Sequence, residues 1–332
     1  MLVTGGLGFI GSAFVRLVLS ERSDVRVTVL DAMTYAANPK NVAGVADDPR
    51  YRFVRGDIRR AADVDAAIGE GVEAIVNFAA ETHVDRSILD PETFISTDVM
   101  GTHVLLEAVR RHAIPRFLQV STDEVYGDVA HGYSLEGDPV RPRSPYAASK
   151  AGADLQVLAY WHTYRTPVVI TRGSNTYGPH QYPEKLIPLF VTNLLDGKAV
   201  PLYGDGRQIR DWIHCDDHAR GIAHVLENGE PGEIYNLGGG NLRANVEIAR
   251  VLLDETGHEW ETFVRHVTDR PGHDRRYALD GAKARALGWQ PAIDFEAGLR
   301  ETVRWYRANE AWWRPITSGE FREYYRRQYA QR

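Results

Sequence analysis

Close to its start the chain reads Thr4-Gly5-Gly6-Leu7-Gly8-Phe9-Ile10-Gly11-Ser12, with glycines at 5, 8 and 11 between a short apolar run and a helical pattern. Ile10, Phe14, Leu17 and Val18 fall at i, i+4, i+7 and i+8, one face of a helix turned toward a sheet. A strand that turns through glycines into such a helix lets backbone N–H groups approach a pyrophosphate at the helix N-terminus. Glycines also mark ordinary tight turns, so the surroundings must decide. Asp31 ends the next apolar run twenty residues beyond Gly11. A carboxylate there accepts both hydroxyls of an adenosine ribose and repels a 2′-phosphate, which points to NAD rather than NADP.

Outward from this turn, short β-branched runs at residues 25–30, 51–54, 74–78, 117–120 and 168–170 alternate with helix-period stretches. The alternation predicts a Rossmann-type, doubly wound parallel sheet with crossover helices. After Pro183 the pattern becomes irregular, with Gly and Pro loops such as Tyr203-Gly204-Asp205-Gly206 and Arg270-Pro271-Gly272. A smaller α/β C-terminal domain is expected there, its core covered by a helix at 245–253 and by Trp305, Trp312 and Trp313. The expected division is 1–172 for dinucleotide binding and 173–332 mainly for a second ligand, with later segments such as a strand at 233–237 returning to the first domain.

The 332 residues are 43% hydrophobic and 25% charged, which excludes disordered and collagen-like chains. A net charge of -6, from 39 basic and 45 acidic side chains, argues against a nucleic-acid binder. The single cysteine, Cys215, excludes an intrachain disulfide and a Cys-rich zinc site and fits a reducing compartment. The first residues resemble no signal peptide and no apolar run approaches a membrane span, so a cytoplasmic protein without a membrane partner is expected. The first strand has only about three residues before glycine, which reads as a chain starting slightly after its natural beginning.

Tyr146-Ala147-Ala148-Ser149-Lys150 sets a phenol and an ammonium at i and i+4 on one helical face. A nearby cation lowers a phenol pKa toward that of a general base, and the lysine can also hold a nicotinamide ribose. Asp57-Ile58, past the third strand, stands where an adenine edge would lie, although an Asp there also suits a helix cap. His83 and His214 show no metal-ligand spacing, so no metal is expected.

With these features, Asn77-Phe78-Ala79-Ala80 and Ser121-Thr122-Asp123-Glu124-Val125-Tyr126-Gly127, the chain resembles the extended short-chain dehydrogenase/reductase superfamily over nearly its whole length. The resemblance implies a tightly held NAD, contacted by Gly5, Gly8, Phe9, Ile10, Gly11, Asp31, Thr34, Asp57, Ile58, Phe78, Ala79, Ala80, Tyr146, Lys150 and Thr176, that oxidises a hydroxyl on a nucleotide-linked hexose. Epimerases of the superfamily lack the acidic pair. Asp123 beside Glu124 is similar to the dTDP-glucose 4,6-dehydratase family, as are Ala79-Ala80-Glu81-Thr82-His83-Val84-Asp85-Arg86-Ser87, Pro183-Glu184-Lys185-Leu186-Ile187-Pro188, the string from Pro201 to Trp212 and that from Arg270 to Tyr277.

That resemblance implies dTDP-glucose as substrate and five catalytic residues. Tyr146, with Thr122 and Lys150, takes the C4 hydroxyl proton; Glu124 removes the C5 proton; protonated Asp123 donates to the departing C6 hydroxyl. Substrate contacts carried over by motif position are Thr82, His83, Thr122, Asn175, Lys185, Leu186, Pro201, Tyr203, Arg210, Asn245, Arg270, His273 and Tyr277. The competing expectations are another NAD-dependent nucleotide-sugar 4,6-dehydratase, epimerase or decarboxylase of the same superfamily, and a non-catalytic NAD-binding sensor or scaffold. A homodimer is implied, paired through helices at 92–111 and 146–164. Departures from the family pattern are Arg172-Gly173-Ser174 before Asn175, Thr176 in place of an Asn near the nicotinamide, Thr82 in place of a serine, and Tyr35-Ala36-Ala37-Asn38 without its usual glycine.

Overall fold

The computed structural model describes residues 1–319 with Phe321, Glu323 and Tyr325. Its centre is a seven-stranded sheet in the order β10-β6-β5-β4-β1-β2-β3. The strands are β1 (Leu2–Thr4), β2 (Val27–Asp31), β3 (Tyr51–Arg55), β4 (Ile75–Asn77), β5 (Phe117–Thr122), β6 (Val168–Gly173) and β10 (Ile234–Leu237). Every pairing is parallel. Helices cover both faces, so β1, β4, β5 and β6 are buried throughout, while β3 at the edge is mostly exposed. The strand order reverses at β1, and the crevice this leaves at the carboxyl ends of the strands is where ligands bind in such sheets.

β5 and β6 run further than their apolar patterns predict. Ser121 pairs with Arg172 and Thr122 with Gly173, carrying polar residues into the sheet at its carboxyl edge. The expected helix at 92–111 is divided into Pro91–Phe94, a wide-turn π segment Ile95–Met100, and Gly101–Arg111. The wide turn aims Asp98 inward, and a Cβ on Gly101 would lie 2.4 Å from Ile58.

The remaining strands, β7 (Asn175–Tyr177), β8 (Val200–Tyr203), β9 (Ile209–His214), β11 (Leu242–Ala244) and β12 (Val264–Val267), form a three-stranded and a two-stranded sheet. With helices Leu186–Leu195, Asn245–Thr256 and Phe295–Ala308 they enclose a second apolar core that includes Tyr177, Phe190, Trp312 and Trp313. Trp305 is only half-buried, its ring 5.2 Å from that of Trp312. The chain also crosses back: β10 joins the large sheet, and helix Cys215–Asn228 packs beside helix Phe9–Glu21. No helix among the described residues is long and apolar enough to cross a membrane.

His218, on that returning helix, is buried with Nδ1 2.8 Å from the Thr176 hydroxyl, and burial pushes its pKa down to about 4. The folded state therefore holds it neutral while the unfolded chain protonates it below about 6.5. Its contribution is present above pH 6.5 and is lost as pH falls toward 4, by roughly 3 kcal/mol in all. Urea unfolding at pH 7 and pH 4.5 should show this loss, and His218→Gln should flatten it; an equal slope in both proteins would refute the assignment.

Candidate active site

At Gly5 φ is +68°, and a Cβ there would lie 2.6 Å from the Ala79 nitrogen; on Gly11 it would lie 2.3 Å from the Gly5 oxygen. Only glycine fits both positions, and their closeness leaves helix Phe9–Glu21 opening from Gly8 with no side-chain cap. Its N-terminus faces a cavity of about 400 Å³ at the carboxyl edge of the large sheet, walled by the ends of β1, β2, β4, β5 and β6. All fifteen residues expected to contact a dinucleotide, from Gly5 to Thr176, line it.

Asp31 Oδ2 accepts from the Leu7 N–H at 3.0 Å and Oδ1 from the Met33 N–H at 2.8 Å, which fixes the carboxylate at the wall. Burial raises its pKa and the two N–H donors oppose the shift. Asp57 also lines the cavity, but it does not cap the next helix, Ala61–Ala67, whose cap is Arg60. Its carboxylate instead binds Arg59 at 2.6 Å; burial raises the Asp57 pKa, and the Arg59 hydrogen bonds and charge outweigh it.

Helix Pro145–Tyr164 begins with Pro145 in its first turn and the Ser144 hydroxyl on the Ala147 N–H, which sets Tyr146 and Lys150 at the cavity wall. The expected effect of Lys150 on the phenol is corrected here. Burial pushes the Tyr146 pKa well up, Glu124 and Asp98 add to the shift, and a hydrogen bond with Thr122 opposes it. The Lys150 ammonium donates to the Val120 carbonyl at 2.8 Å, and the carboxylates that answer its charge are Asp98 and Asp154. Spacing brings the two side chains to one wall, but burial and carboxylates from other elements set the phenol's titration.

Asp98 carried no signal in the sequence. Its Oδ1 accepts from the Glu81 N–H at 2.9 Å and its Oδ2 from the Ser149 hydroxyl at 2.6 Å. Burial pushes it up to about 6, and Lys150 and Ser149 limit the rise.

Thr122, the last residue of β5, caps the turn Asp123–Tyr126 by accepting from the Glu124 N–H at 3.3 Å, and its hydroxyl donates to Asp123 Oδ1 at 3.1 Å. Asp123 is 3% exposed and its Oδ2 has no partner. Its carboxyl is pushed well up by burial and then by Glu124, against Arg210. Burial raises Glu124 as well, but three cations, Arg270, Arg210 and Lys185, oppose it. The surroundings thus separate two adjacent carboxyls: Asp123 is driven to hold its proton and Glu124 is the one favoured to ionise.

A second cavity of about 150 Å³ meets the first at Glu124, Asn175, Thr176 and Lys185. His83, Leu186, Pro201, Tyr203, Arg210, Asn245, Arg270 and His273 line it, and Thr82 lines the larger one. The Arg210 guanidinium donates to the Asp274 carbonyl at 2.9 Å, and Arg270 lies 3.8 Å from Asp85. Asn175 Oδ1, Asn245 Oδ1 and Arg270 Nε are buried without partners. Three cations and unspent polar atoms around one small cavity suit a diphosphate with a polar group at each end.

Three expected contacts have other work. Tyr277 lies behind the wall, its hydroxyl donating to Asp274 at 2.5 Å and its ring 4.2 Å from Arg210. His83 reaches the cavity, but its ring nitrogens meet the Arg86 N–H at 3.4 Å and the Glu184 carbonyl at 3.3 Å. His273 is 2.6 Å from Asp269, and its pKa is pushed down to about 4 by burial and by Arg270 and Arg210. His214 is a helix cap, accepting from the Asp216 N–H at 3.3 Å.

A sequence profile of the family described as GDP-mannose 4,6 dehydratase matches residues 2–302. The chain is 53% identical over 323 residues to a curated dTDP-glucose 4,6-dehydratase of Streptomyces niveus, covering 96% of each. It superposes with a TM-score of 0.92 and 54% identity on DesIV, a dTDP-glucose 4,6-dehydratase of Streptomyces venezuelae solved with NAD and TYD bound, covering 95% of this chain and 99% of that one. A UDP-glucose 4-epimerase of Thermus thermophilus, solved with NAD, follows the same fold at a TM-score of 0.86 but only 32% identity, over 93% of this chain and 99% of its own. The fold is thus shared across activities, whereas half of all residues are shared with one of them, and the chain belongs to the dTDP-glucose 4,6-dehydratases, within the family that the GDP-mannose 4,6 dehydratase profile describes.

Proposed function

We propose that this protein converts dTDP-glucose to dTDP-4-keto-6-deoxyglucose and water, with NAD as a cofactor regenerated in each turnover. The observation that carries the reading is the pair of buried Asp123 and half-buried Glu124, with separated proton affinities, which line the larger cavity with Tyr146, Glu124 at its junction with the smaller one. An epimerase on this fold has no use for such a pair.

The larger cavity fits NAD. The glycine turn and helix N-terminus suit its pyrophosphate, anchored Asp31 a ribose, Asp57-Ile58 the adenine edge, and Lys150 the nicotinamide ribose. When bound, NAD supplies the acceptor for the C4 hydride and returns that hydride to C6. Lys185, Arg210 and Arg270 with Asn175 and Asn245 hold the nucleoside diphosphate in the smaller cavity.

Tyr146, hydrogen-bonded to Thr122, would take the proton of the C4 hydroxyl. Because burial and the nearby carboxylates hold the phenol protonated, this role requires the positive charges of Lys150 and of a bound nicotinamide to bring it to phenolate. The C4 ketone makes the C5 hydrogen acidic, and Glu124 takes it. Asp123 gives its proton to the C6 hydroxyl, which leaves as water, and Glu124 returns a proton to C5 once C6 has been reduced. Both carboxyls are raised by burial, Asp123 further than Glu124, so of the two Asp123 is the one to carry the proton and Glu124 the one to accept it.

The assembly we propose is a homodimer. Leu89, Ile95, Met100, Leu155 and Tyr164 are exposed on the Val84–Arg111 helical run and helix Pro145–Tyr164, an apolar face suited to a second copy. The compartment we propose is the cytoplasm, which supplies NAD and nucleotide sugars. Incubation with dTDP-glucose, UDP-glucose and GDP-mannose in separate reactions should give loss of water, by mass, from dTDP-glucose, and the same preparation should sediment as a dimer. Loss of water from none of them, with NAD added, would refute the activity.

A further inference from the structure

Tyr35, Arg86 and Glu184 are distant in sequence and meet in one contact. The Tyr35 hydroxyl donates to Glu184 Oε1 at 2.7 Å, and Arg86 Nε donates to Glu184 Oε2 at 2.9 Å. The Arg86 guanidinium lies 3.9 Å over the Tyr35 ring, and Tyr182 meets that ring edge-on with centroids 5.3 Å apart. Glu184 is 6% exposed, so both its oxygens are bound where water does not compete. Burial raises the Glu184 carboxyl, but His83, Arg86 and Lys185 outweigh it and keep the group ionised.

Each participating segment is a wall of the larger cavity: Thr34, Ala36 and Ala37 flank Tyr35, Ala79 to Thr82 precede Arg86, and Gln181, Tyr182 and Lys185 surround Glu184. Two ties join the second segment to the third, from Lys185 Nζ to the Thr82 carbonyl at 2.5 Å and between His83 Nε2 and the Glu184 carbonyl at 3.3 Å. The contact with Tyr35 extends this bond set to the loop after β2, the segment that departs from the family pattern by lacking a glycine.

We propose that Tyr35, Arg86 and Glu184 form a clasp that retains the dinucleotide by fastening together the three loops around it. A ligand enclosed by three loops leaves when one of them moves, and moving any of these three strips a buried carboxylate of a charge-assisted hydrogen bond. Retention matters to the reaction because the cofactor is reduced and reoxidised within one turnover, and its escape between the two events strands an oxidised sugar. The proposal rests on the larger cavity being the dinucleotide site and assigns its residence time to residues outside the proton-transfer steps.

Tyr35→Phe deletes one hydroxyl and keeps the ring beneath Arg86; Glu184→Gln removes the charge. Bound NAD per chain, its release rate into NAD-free buffer, and unfolding midpoints with and without NAD should be measured for both variants and the parent. NAD should leave both variants about tenfold faster, and the rise in midpoint on adding NAD should shrink. A merely structural role would lower both midpoints equally and leave release unchanged, which overturns the clasp. If Glu184→Gln fails to fold, Tyr35→Phe decides alone, and parental release in it overturns the proposal. A parent protein that neither retains NAD nor gains midpoint from it would sink the dinucleotide reading and the clasp together, whereas equal retention in all proteins sinks only the clasp.

Discussion

Glu124→Gln is expected to lower turnover of dTDP-glucose by about 10²- to 10⁴-fold, the range for losing a positioned proton acceptor, while oxidation at C4 continues. Glutamine keeps the volume beside Tyr277, whose hydroxyl lies 3.5 Å from Glu124 Oε2, but it cannot take a proton from C5. Mixing the variant with dTDP-glucose should therefore give lasting absorbance from reduced cofactor and a sugar that has lost two hydrogens but no water. Asp123→Asn should differ in kind: the base remains and the acid is gone, so solvent hydrogen exchanges into C5 while the C6 hydroxyl leaves slowly. The two carboxyls are also coupled, because the charge of Glu124 is the second largest cause of the high proton affinity of Asp123. Full turnover in Glu124→Gln would refute the assigned role.

The roles proposed for the two carboxyls differ through what packs around them rather than through their own chemistry. Asp123 faces Glu124 and, among the named cations, only Arg210; Glu124 faces Arg270, Arg210 and Lys185. The cations that would hold the nucleoside diphosphate thus also tune the base. Phosphate groups seated among them would neutralise part of that field and make Glu124 a stronger base when substrate is in place.

Much of this was legible in the sequence wherever the chemistry demands a local spacing. Gly5 and Gly11 must be glycine because the Ala79 and Gly5 backbones leave no room for a Cβ, and Asp31 must end β2 to reach the same crevice. Tyr146 and Lys150 reach one wall through helical periodicity alone. Spacing did not reveal the sign of the phenol's shift, because the dominant causes are burial and carboxylates on β5's turn and the Asp98 segment. Asp98, Glu184 and the clasp were equally hidden: each gains its meaning from partners 50 to 150 residues away, and no local pattern encodes such meetings. The π turn at Ile95–Met100 was missed for a related reason, since helical apolar periodicity continues on both sides of it.

Asp154→Ala is expected to lower the free energy of unfolding by about 3–5 kcal/mol, the cost of leaving a buried guanidinium without its counter-charge. Arg172 in β6 and Asp154 in helix Pro145–Tyr164 are 2% and 0% exposed and bond at 2.9 Å, with Arg172 also 4.7 Å over the Tyr126 ring. The pair fastens the helix that carries Tyr146 and Lys150 to β6, which lies beside β5 and the Asp123–Tyr126 turn that follows it. Asp154 also answers the charge of Lys150 together with Asp98, so its loss should lower the lysine's proton affinity and move the pH dependence of turnover. Replacing both partners, as Asp154→Leu with Arg172→Met, should recover most of the stability, because a matched apolar pair leaves no stranded charge. Urea unfolding of the two single variants and the double variant closes the cycle. A loss below about 1 kcal/mol in Asp154→Ala, the range of an exposed ion pair, would mean that Arg172 finds another partner when Asp154 is gone.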